Sequence, residues 1–268
     1  MPSLSYKELM IPPNNSETTV DHLLNGRVAL EQPRDGYRVA IDPVFLAAAV
    51  PAKSHDKILE LGVGTGAAAL CLLTRIPEIM VTGIEIDGEM ARLARRNADR
   101  NGVMQKLHII LGDVLSPPPE LRSGFDHVMM NPPYLADQKF SVSPSANKTQ
   151  AHHEGEADLA AFMEMGMSCL RPGGTLTIIH RADRQAEILS LLSTAVPEIK
   201  MGEVVVYPLW PGLKPDGTPK EAKRILVQAT RDSLVPFRLA VGLVLHAPQG
   251  GYTAQAEAIL RGGSALLL

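Results

Sequence analysis

From Lys57 to Ala195 the chain alternates short aliphatic runs with helical ones, and this alternation constrains its fold more than any other feature. "KILELG" reads as a buried strand and "TGAAALCLLTRI" as a helix. "MVTGIEID", "LHIILGDV", "FDHVMMN" and "GGTLTIIH" continue as strands, with "GEMARLARRNADRNG", "EADLAAFMEMGMSCL" and "DRQAEILSLLSTA" as helices. Strands this apolar need cover on both faces, and strand–helix alternation supplies it by building a parallel sheet. The ending departs from the pattern: "EVVVYPLWP" and "AKRILVQAT" flank "GLKPDGTPKE", a hairpin-like pair with a long loop. The expected fold is therefore α/β, a doubly wound and mostly parallel seven-stranded sheet that finishes in an antiparallel hairpin. "RLAVGLVLHAPQGGYTAQAEAILRG" adds one more strand and a short helix.

Ahead of the alternation, residues 1–20 read as a polar, proline-bearing tail. "TTVDHLLNG" opens with a short helical pattern, and "RVALEQPRDGYRVA" predicts a hairpin whose turn carries Pro33, Asp35 and Gly36. Asp42 then starts a helix through Val50, as its N-cap, with Pro43 in the first turn. The division expected is an N-terminal extension over 1–50, with hairpin and helix, and one domain over 51–268. An apolar share of 45% suits a single sizeable core. The net charge of −3 gives no global basic signature, so any nucleic-acid contact must come from local patches. Cys71 and Cys169 both sit in apolar helical patterns, which predicts buried thiols in a reduced compartment rather than a disulfide. The sequence shows no signal-peptide pattern at its N-terminus and no run of about 18 uninterrupted apolar residues, so the expectation is a cytoplasmic protein without a membrane span.

The first strand end carries "LELGVGTGAA", with Gly62, Gly64 and Gly66 between strand and helix. Such glycines allow a tight turn and let backbone N–H groups approach a cofactor. Two readings fit. Gly62, Gly64 and Ala67 satisfy a dinucleotide fingerprint, with Glu85 at the ribose-binding distance. S-Adenosylmethionine fits better on two counts. Glu60, directly before the turn, is awkward beside a pyrophosphate but suits a ligand with an amino group and a sulfonium. Asp113, at the end of the third strand, can accept a hydrogen bond from an adenine amino group. In these features and in "LRPGG" at 170–174, residues 57–180 resemble the class I methyltransferases. The resemblance implies that Gly62, Gly64 and Gly66 approach the cofactor, Glu85 holds the ribose hydroxyls and Asp113 the adenine. Asp87 can instead serve the first turn of its helix.

At the fourth strand end stands "NPPY", Asn131, Pro132, Pro133 and Tyr134. The exocyclic nitrogen of adenine is a poor nucleophile because its lone pair is delocalised into the ring. The Asn131 side-chain oxygen and the Pro132 carbonyl could accept its two N–H groups and favour a more pyramidal nitrogen, and consecutive prolines would fix that carbonyl. Tyr134 can stack on a flat substrate, and Asn131, next to the methyl donor, is expected to bind the cofactor as well. This catalysis is positioning and electrostatics, with no metal and no strong base. The tetrapeptide is the signature of amino-group methyltransferases acting on planar nitrogens, those of adenine, guanine or glutamine. Together with "GYRVAIDPVFLAAAV" and "AHHE", it resembles the bacterial methyltransferases of adenine N6 in valine tRNA, from about residue 18 onwards.

That resemblance implies an RNA partner, tRNA in particular, bound by a monomer or homodimer. Guanine-N2 methylation in ribosomal RNA, glutamine methylation in a protein and a non-catalytic RNA-binding module are the alternatives. Local clusters offer phosphate contacts: Lys214, Lys220, Lys223 and Arg224 on or beside the late loop, Arg181 and Arg184 beyond the fifth strand, and Arg38 near the cleft. Arg92, Arg95, Arg96 and Arg100 share one helix and read either as a further basic patch or as a solvated face. His152, His153 and Glu154 read as a loop over the substrate, since adjacent histidines converge poorly on one ion. Trp210 reads as a packing residue of the late hairpin.

Overall fold

The structure, a computed structural model, describes residues 18–35, 38–118, 121, 124–133 and 148–268, with the backbone alone over 148–158. It begins with an antiparallel pair, β1 (Thr18–Leu23) and β2 (Val28–Pro33), in the register Leu23 to Val28 and Thr18 to Pro33. This corrects the expected helix-then-hairpin order. The turn falls at Leu24, Asn25 and Gly26, all with positive φ (51°, 56° and 87°), and the Asn-Gly pair supplies that conformation cheaply. Residues 38–40, expected as the hairpin's second strand, are irregular. Helix α1 (Asp42–Ala49) follows with Ile41 at its N-cap. Asp42 is thus inside the first turn rather than capping it, and its carboxylate accepts from Arg224 Nε at 2.7 Å.

Next come β3 (Lys57–Leu61), α2 (Ala67–Arg75), β4 (Met80–Glu85), α3 (Gly88–Arg100), β5 (Leu107–Leu111), β6 (Phe125–Met130), α4 (Lys148–Cys169), β7 (Leu170–Arg181) and α5 (Gln185–Thr194). The chain then makes β8 (Met201–Trp210), β9 (Arg224–Arg231), β10 (Arg238–Leu239), β11 (Leu243–Val244) and α6 (Ala254–Leu260). The strands lie in the order β5-β4-β3-β6-β7-β9-β8, parallel except for the antiparallel β9. This is the expected seven-stranded sheet. The strand foreseen after it exists in two pieces, β10 and β11, both parallel to β8 and broken at Gly242. There Trp210 Nε1 donates to the Val241 carbonyl at 2.8 Å, so the tryptophan fastens the break.

Both faces of the sheet are dry. Along β6, Met129 packs with α1, α2 and α3 on one face, while Val128 and Met130 pack with α4 and α5 on the other. All three are fully buried, which is why the run has no polar alternation. Cys71 and Cys169 are free, buried thiols, one in each face. Helix α4 takes in residues 152–154, so the expected histidine loop belongs to a helix backbone. Among the described residues no helix is long and apolar enough to cross a membrane.

Candidate active site

Strand β3 is bonded to β4 on one side and β6 on the other, and the chain winds outward from it in opposite directions. The loops leaving β3 and β6 therefore separate, and a crevice opens at the carboxyl ends of the strands. Leu61 pairs with Ile84 and with Met130, and Glu85 pairs with Leu111. These registers align the strand ends, so Gly62, Glu85, Asp113 and Asn131 surround one cleft of 870 Å³, within the range of small-molecule sites.

The glycine turn is built by hydrogen bonds to β4. Gly62 N–H and Val63 N–H both donate to the Ile84 carbonyl at 3.0 Å, and Gly64 N–H donates to Glu85 Oε2 at 2.7 Å. Gly62, Gly64 and Gly66 all have positive φ (69°, 54° and 90°), and Gly66 is the N-cap of α2. Sequence reasoning passed over Gly83 of β4. A Cβ there would sit 2.8 Å from Val63 Cβ, so the turn can lie on β4 only because Gly83 has none.

The acidic residues at the strand ends differ in state. Glu85 is buried and uses both oxygens, Oε2 on Gly64 and Oε1 on the Asp87 N–H at 3.0 Å. Asp87 caps α3, accepting from the Glu89 and Met90 N–H groups, so the capping alternative holds for it. Asp113 Oδ1 accepts from Leu115 N–H at 2.9 Å and closes a tight turn. Glu60 is only 4% exposed, and its Oε2 has no hydrogen-bond partner among the described residues. Burial pushes its carboxyl well above the ordinary range; an Ala69 N–H opposes this and the charge of Glu85 adds to it. An orphaned, buried carboxylate oxygen at a glycine turn fits a cofactor that brings its own positive charge.

The cleft also has walls that sequence reasoning did not foresee. Gln32, Pro33 and Asp35 line it from the end of β2, and Ala161 and Phe162 from α4. Asp35, Glu60, Glu85, Asp87 and Asp113 all line it, and the described lining residues include no lysine, arginine or histidine. Pro132 and Pro133 line it beside Asn131, while Tyr134 lies outside the described residues.

The proposed basic contacts sort into two groups. Lys214, Lys220 and Lys223 are exposed on the β8–β9 loop. Arg181 pairs in register with Arg224, and the Lys223 carbonyl accepts from Ala182 N–H, so these cations gather at the carboxyl end of β7, one strand from Asn131. Arg181 binds Asp183, Arg184 binds Glu187 and Arg38 binds Asp21, and Arg38 is not among the lining residues. The arginines of α3 fit neither earlier reading fully: Arg92 pairs with Glu89, Arg95 donates to the Ile109 carbonyl, and Arg96 and Arg100 converge on buried Glu31. Among the described residues no cluster of three metal-ligating side chains occurs.

This sheet order, with a glycine turn and acidic strand ends at its switch point, defines a class I methyltransferase, and S-adenosylmethionine is its cofactor. The chain belongs to the methyltransferase small domain family, whose model matches residues 39–202. It is 30% identical over 241 residues to the tRNA1(Val) (adenine(37)-N6)-methyltransferase of Porphyromonas gingivalis, covering 85% of this chain and 89% of that one. It is 27% identical to the release factor glutamine methyltransferase of Chlorobaculum tepidum, over 58% of this chain and 55% of that one. The crystal structure of a predicted O-methyltransferase from Agrobacterium tumefaciens superposes with a TM-score of 0.68 at 23% identity, over 85% of this chain and 99% of that one.

Proposed function

We propose that the protein transfers a methyl group from S-adenosylmethionine to N6 of an adenine in RNA, specifically in tRNA, in the cytoplasm. The observation that carries this reading is the pairing of Leu61 with Met130, which sets Asn131 and its two prolines beside the glycine turn in one cleft. The similarity to the Porphyromonas gingivalis enzyme, across nearly its full length, supports the choice of adenine. When bound, S-adenosylmethionine supplies an already activated methyl group. Glu85 would hold its ribose hydroxyls with the lone pairs left over from Gly64 and Asp87, Asp113 its adenine, and Glu60 its positive end. Gly62, Gly64 and Gly66 let it come close to the backbone. The Asn131 oxygen and the Pro132 carbonyl would accept the two N–H groups of the target amine, Pro133 would hold that carbonyl in place, and Tyr134 would stack on the base. The displaced proton leaves to solvent, so the site needs no strong base. A target base must be splayed from the RNA to reach Asn131. Lys214, Lys220 and Lys223, with Arg38, Arg181, Arg184 and Arg224, would take the phosphates as monomer or homodimer.

The test is transfer of labelled methyl from S-adenosylmethionine to total tRNA, ribosomal RNA and a release factor in parallel, followed by nucleoside and peptide analysis. N6-methyladenosine in tRNA is the expected product. Label in N2-methylguanosine or in glutamine would retain the cofactor site and overturn the choice of substrate.

A further inference from the structure

At the carboxyl end of β8 two strand ends lie side by side. Val244 of β11 pairs with Trp210, the Leu245 N–H donates to the Trp210 carbonyl at 2.8 Å, and the next residue, His246, stands beside Pro211. There His246 Nδ1 donates to the Pro211 carbonyl at 2.8 Å, which fixes both the proton on that nitrogen and the rotation of the ring. Behind it lies Tyr252, bridged to His246 in antiparallel fashion and partly buried against the α1 and α2 core. The two rings stack, with centroids 4.8 Å apart and planes inclined by 28°. One face of the imidazole and one ring nitrogen are thus occupied. His246 is nevertheless an exposed residue, so it shows solvent its other face and its Nε2 edge. A ring held this firmly has little rotamer freedom left to lose when a flat ligand lies on it.

The base of the β8–β9 loop adjoins this ring. A Cβ on Gly212 would lie 3.8 Å from the His246 carbonyl oxygen, and the Gly212 carbonyl accepts the Lys220 N–H at 2.9 Å. Lys214 N–H donates to the Thr218 carbonyl at 2.7 Å and Leu213 bridges to Pro219, so the loop is itself a tight hairpin with Lys214 and Lys220 exposed on its two arms. Its acidic residues are Asp216, turned onto Thr218, and the exposed Glu221.

Resting on the RNA reading above, we propose that His246 is a stacking platform for an unpaired base of the substrate RNA, with Lys214 and Lys220 on the phosphates beside it. The ligand is a single-stranded nucleotide other than the methylated one. β8 runs antiparallel to β9, and β9 to β7, so β8 ends on the same rim of the sheet as β6. Three ladder spacings, about 14 Å, separate the two strands. The register that joins Met130 to Ile178, Val227 and Val206 leaves β8 four residues longer at this rim, as far as Trp210. The aromatic pair is therefore a raised shoulder beside the cleft, and RNA whose target base enters at Asn131 passes over it. Neither ring lines the cleft itself. Stacking on an aromatic ring accepts any base, since each has a π-face, so the platform holds the strand without reading its sequence.

Binding of the full chain to total tRNA and to an oligoadenylate of about ten nucleotides, measured over a range of salt, tests this. His246→Ala should weaken both by about tenfold, the loss of one stacked base. The slope of log affinity against log salt should stay as in the wild type, because no phosphate contact is removed. His246→Phe keeps a flat ring without the bond to Pro211, and should return binding to within about threefold of wild type. In methyl transfer to tRNA, His246→Ala should raise KM and leave kcat within about threefold. Should His246→Ala fold poorly, His246→Asn, which keeps a donor at the Nδ1 position and lacks the ring, carries the same expectation. Unchanged affinity overturns the inference and leaves the RNA reading standing. So does a loss that His246→Phe does not recover, or one that comes with a shallower salt slope, since either makes the histidine a prop for the lysine loop. Wild-type protein that binds neither RNA overturns both readings.

Discussion

The side-chain amide of Asn97, fully buried in α3, bonds both backbone groups of Glu31 as a neighbouring strand would: its oxygen accepts the Glu31 N–H at 2.7 Å and its nitrogen donates to the Glu31 carbonyl at 2.8 Å. Asn101, one helical turn on, does the same for Ala29. The i, i+4 spacing on the helix matches the i, i+2 spacing on the strand, so two amides close the outer edge of β2. Asn97 Nδ2 also reaches the Thr65 carbonyl at 2.9 Å, which ties the N-terminal hairpin to the glycine turn. Asn97→Ala would leave three buried backbone groups without this partner. We expect a loss of about 3 kcal/mol in urea denaturation; a loss under roughly 1 kcal/mol would mean that the hairpin is held chiefly by its apolar contacts.

Gly83→Ala forces a methyl group into Val63. The expected cost is about 1–3 kcal/mol, typical of an overpacked site, with weaker cofactor binding because the turn must lift. Val63→Ala in the same chain should recover part of both losses. Absence of any recovery in the double-mutant cycle would place the damage elsewhere.

Asn131→Ala should lower kcat by about two to three orders of magnitude while cofactor affinity measured by calorimetry stays within about threefold. A parallel collapse of cofactor binding would instead make Asn131 a cofactor ligand first.

Burial, and then the positive charge of Arg184, lower the His180 pKa to about 4. The unfolded chain takes up this proton at an ordinary histidine pKa, and the folded chain only near pH 4. Stability from this group is therefore full above the ordinary value and is lost as pH falls from there towards 4. His180→Leu should flatten the slope of unfolding free energy against pH across that window. An unchanged slope would assign the acid sensitivity to other groups, such as His127, whose pKa is also lowered by burial.

Replacing Lys214, Lys220 and Lys223 together with glutamine should weaken tRNA binding without altering cofactor affinity. For every phosphate that the variant no longer neutralises, the slope of log affinity against log salt should fall by about 0.7–0.9. An unaltered slope would remove this loop from the RNA surface.

The parallel sheet was legible because strand segments buried on both faces leave short apolar runs, such as Val128–Met130 in β6 and Ile178 with Ile179 in β7, and these recur between helical patterns. The glycine turn and the strand-end acids were legible for a related reason: their conformation and charge are local properties. The hairpin was not. Val20, Leu23 and Leu24 stand at helical spacing, and they hid the Asn25-Gly26 turn signal behind an apparent helix. Asp42 read as a cap because its partner, Arg224, is 182 residues away. The arginines of α3 looked like a surface for the same reason, since Glu31, which turns two of them inward, lies in a segment with no visible link to that helix.

The divided strand at the far edge of the sheet bears on how the protein behaves in a crowded solution. Leu234 and Val241 are almost fully exposed, with Val235, Phe237 and Leu239 beside them, on the segment that closes this edge. A continuous apolar edge of this kind is a template on which another chain can add a strand. Here the ladder runs two residues, stops at Gly242 with its left-handed backbone, and resumes for two more. Trp210 holds that dislocation in place. An incoming strand finds no run of backbone donors and acceptors long enough to register on, so the fold ends in an edge that resists polymerisation by its shape.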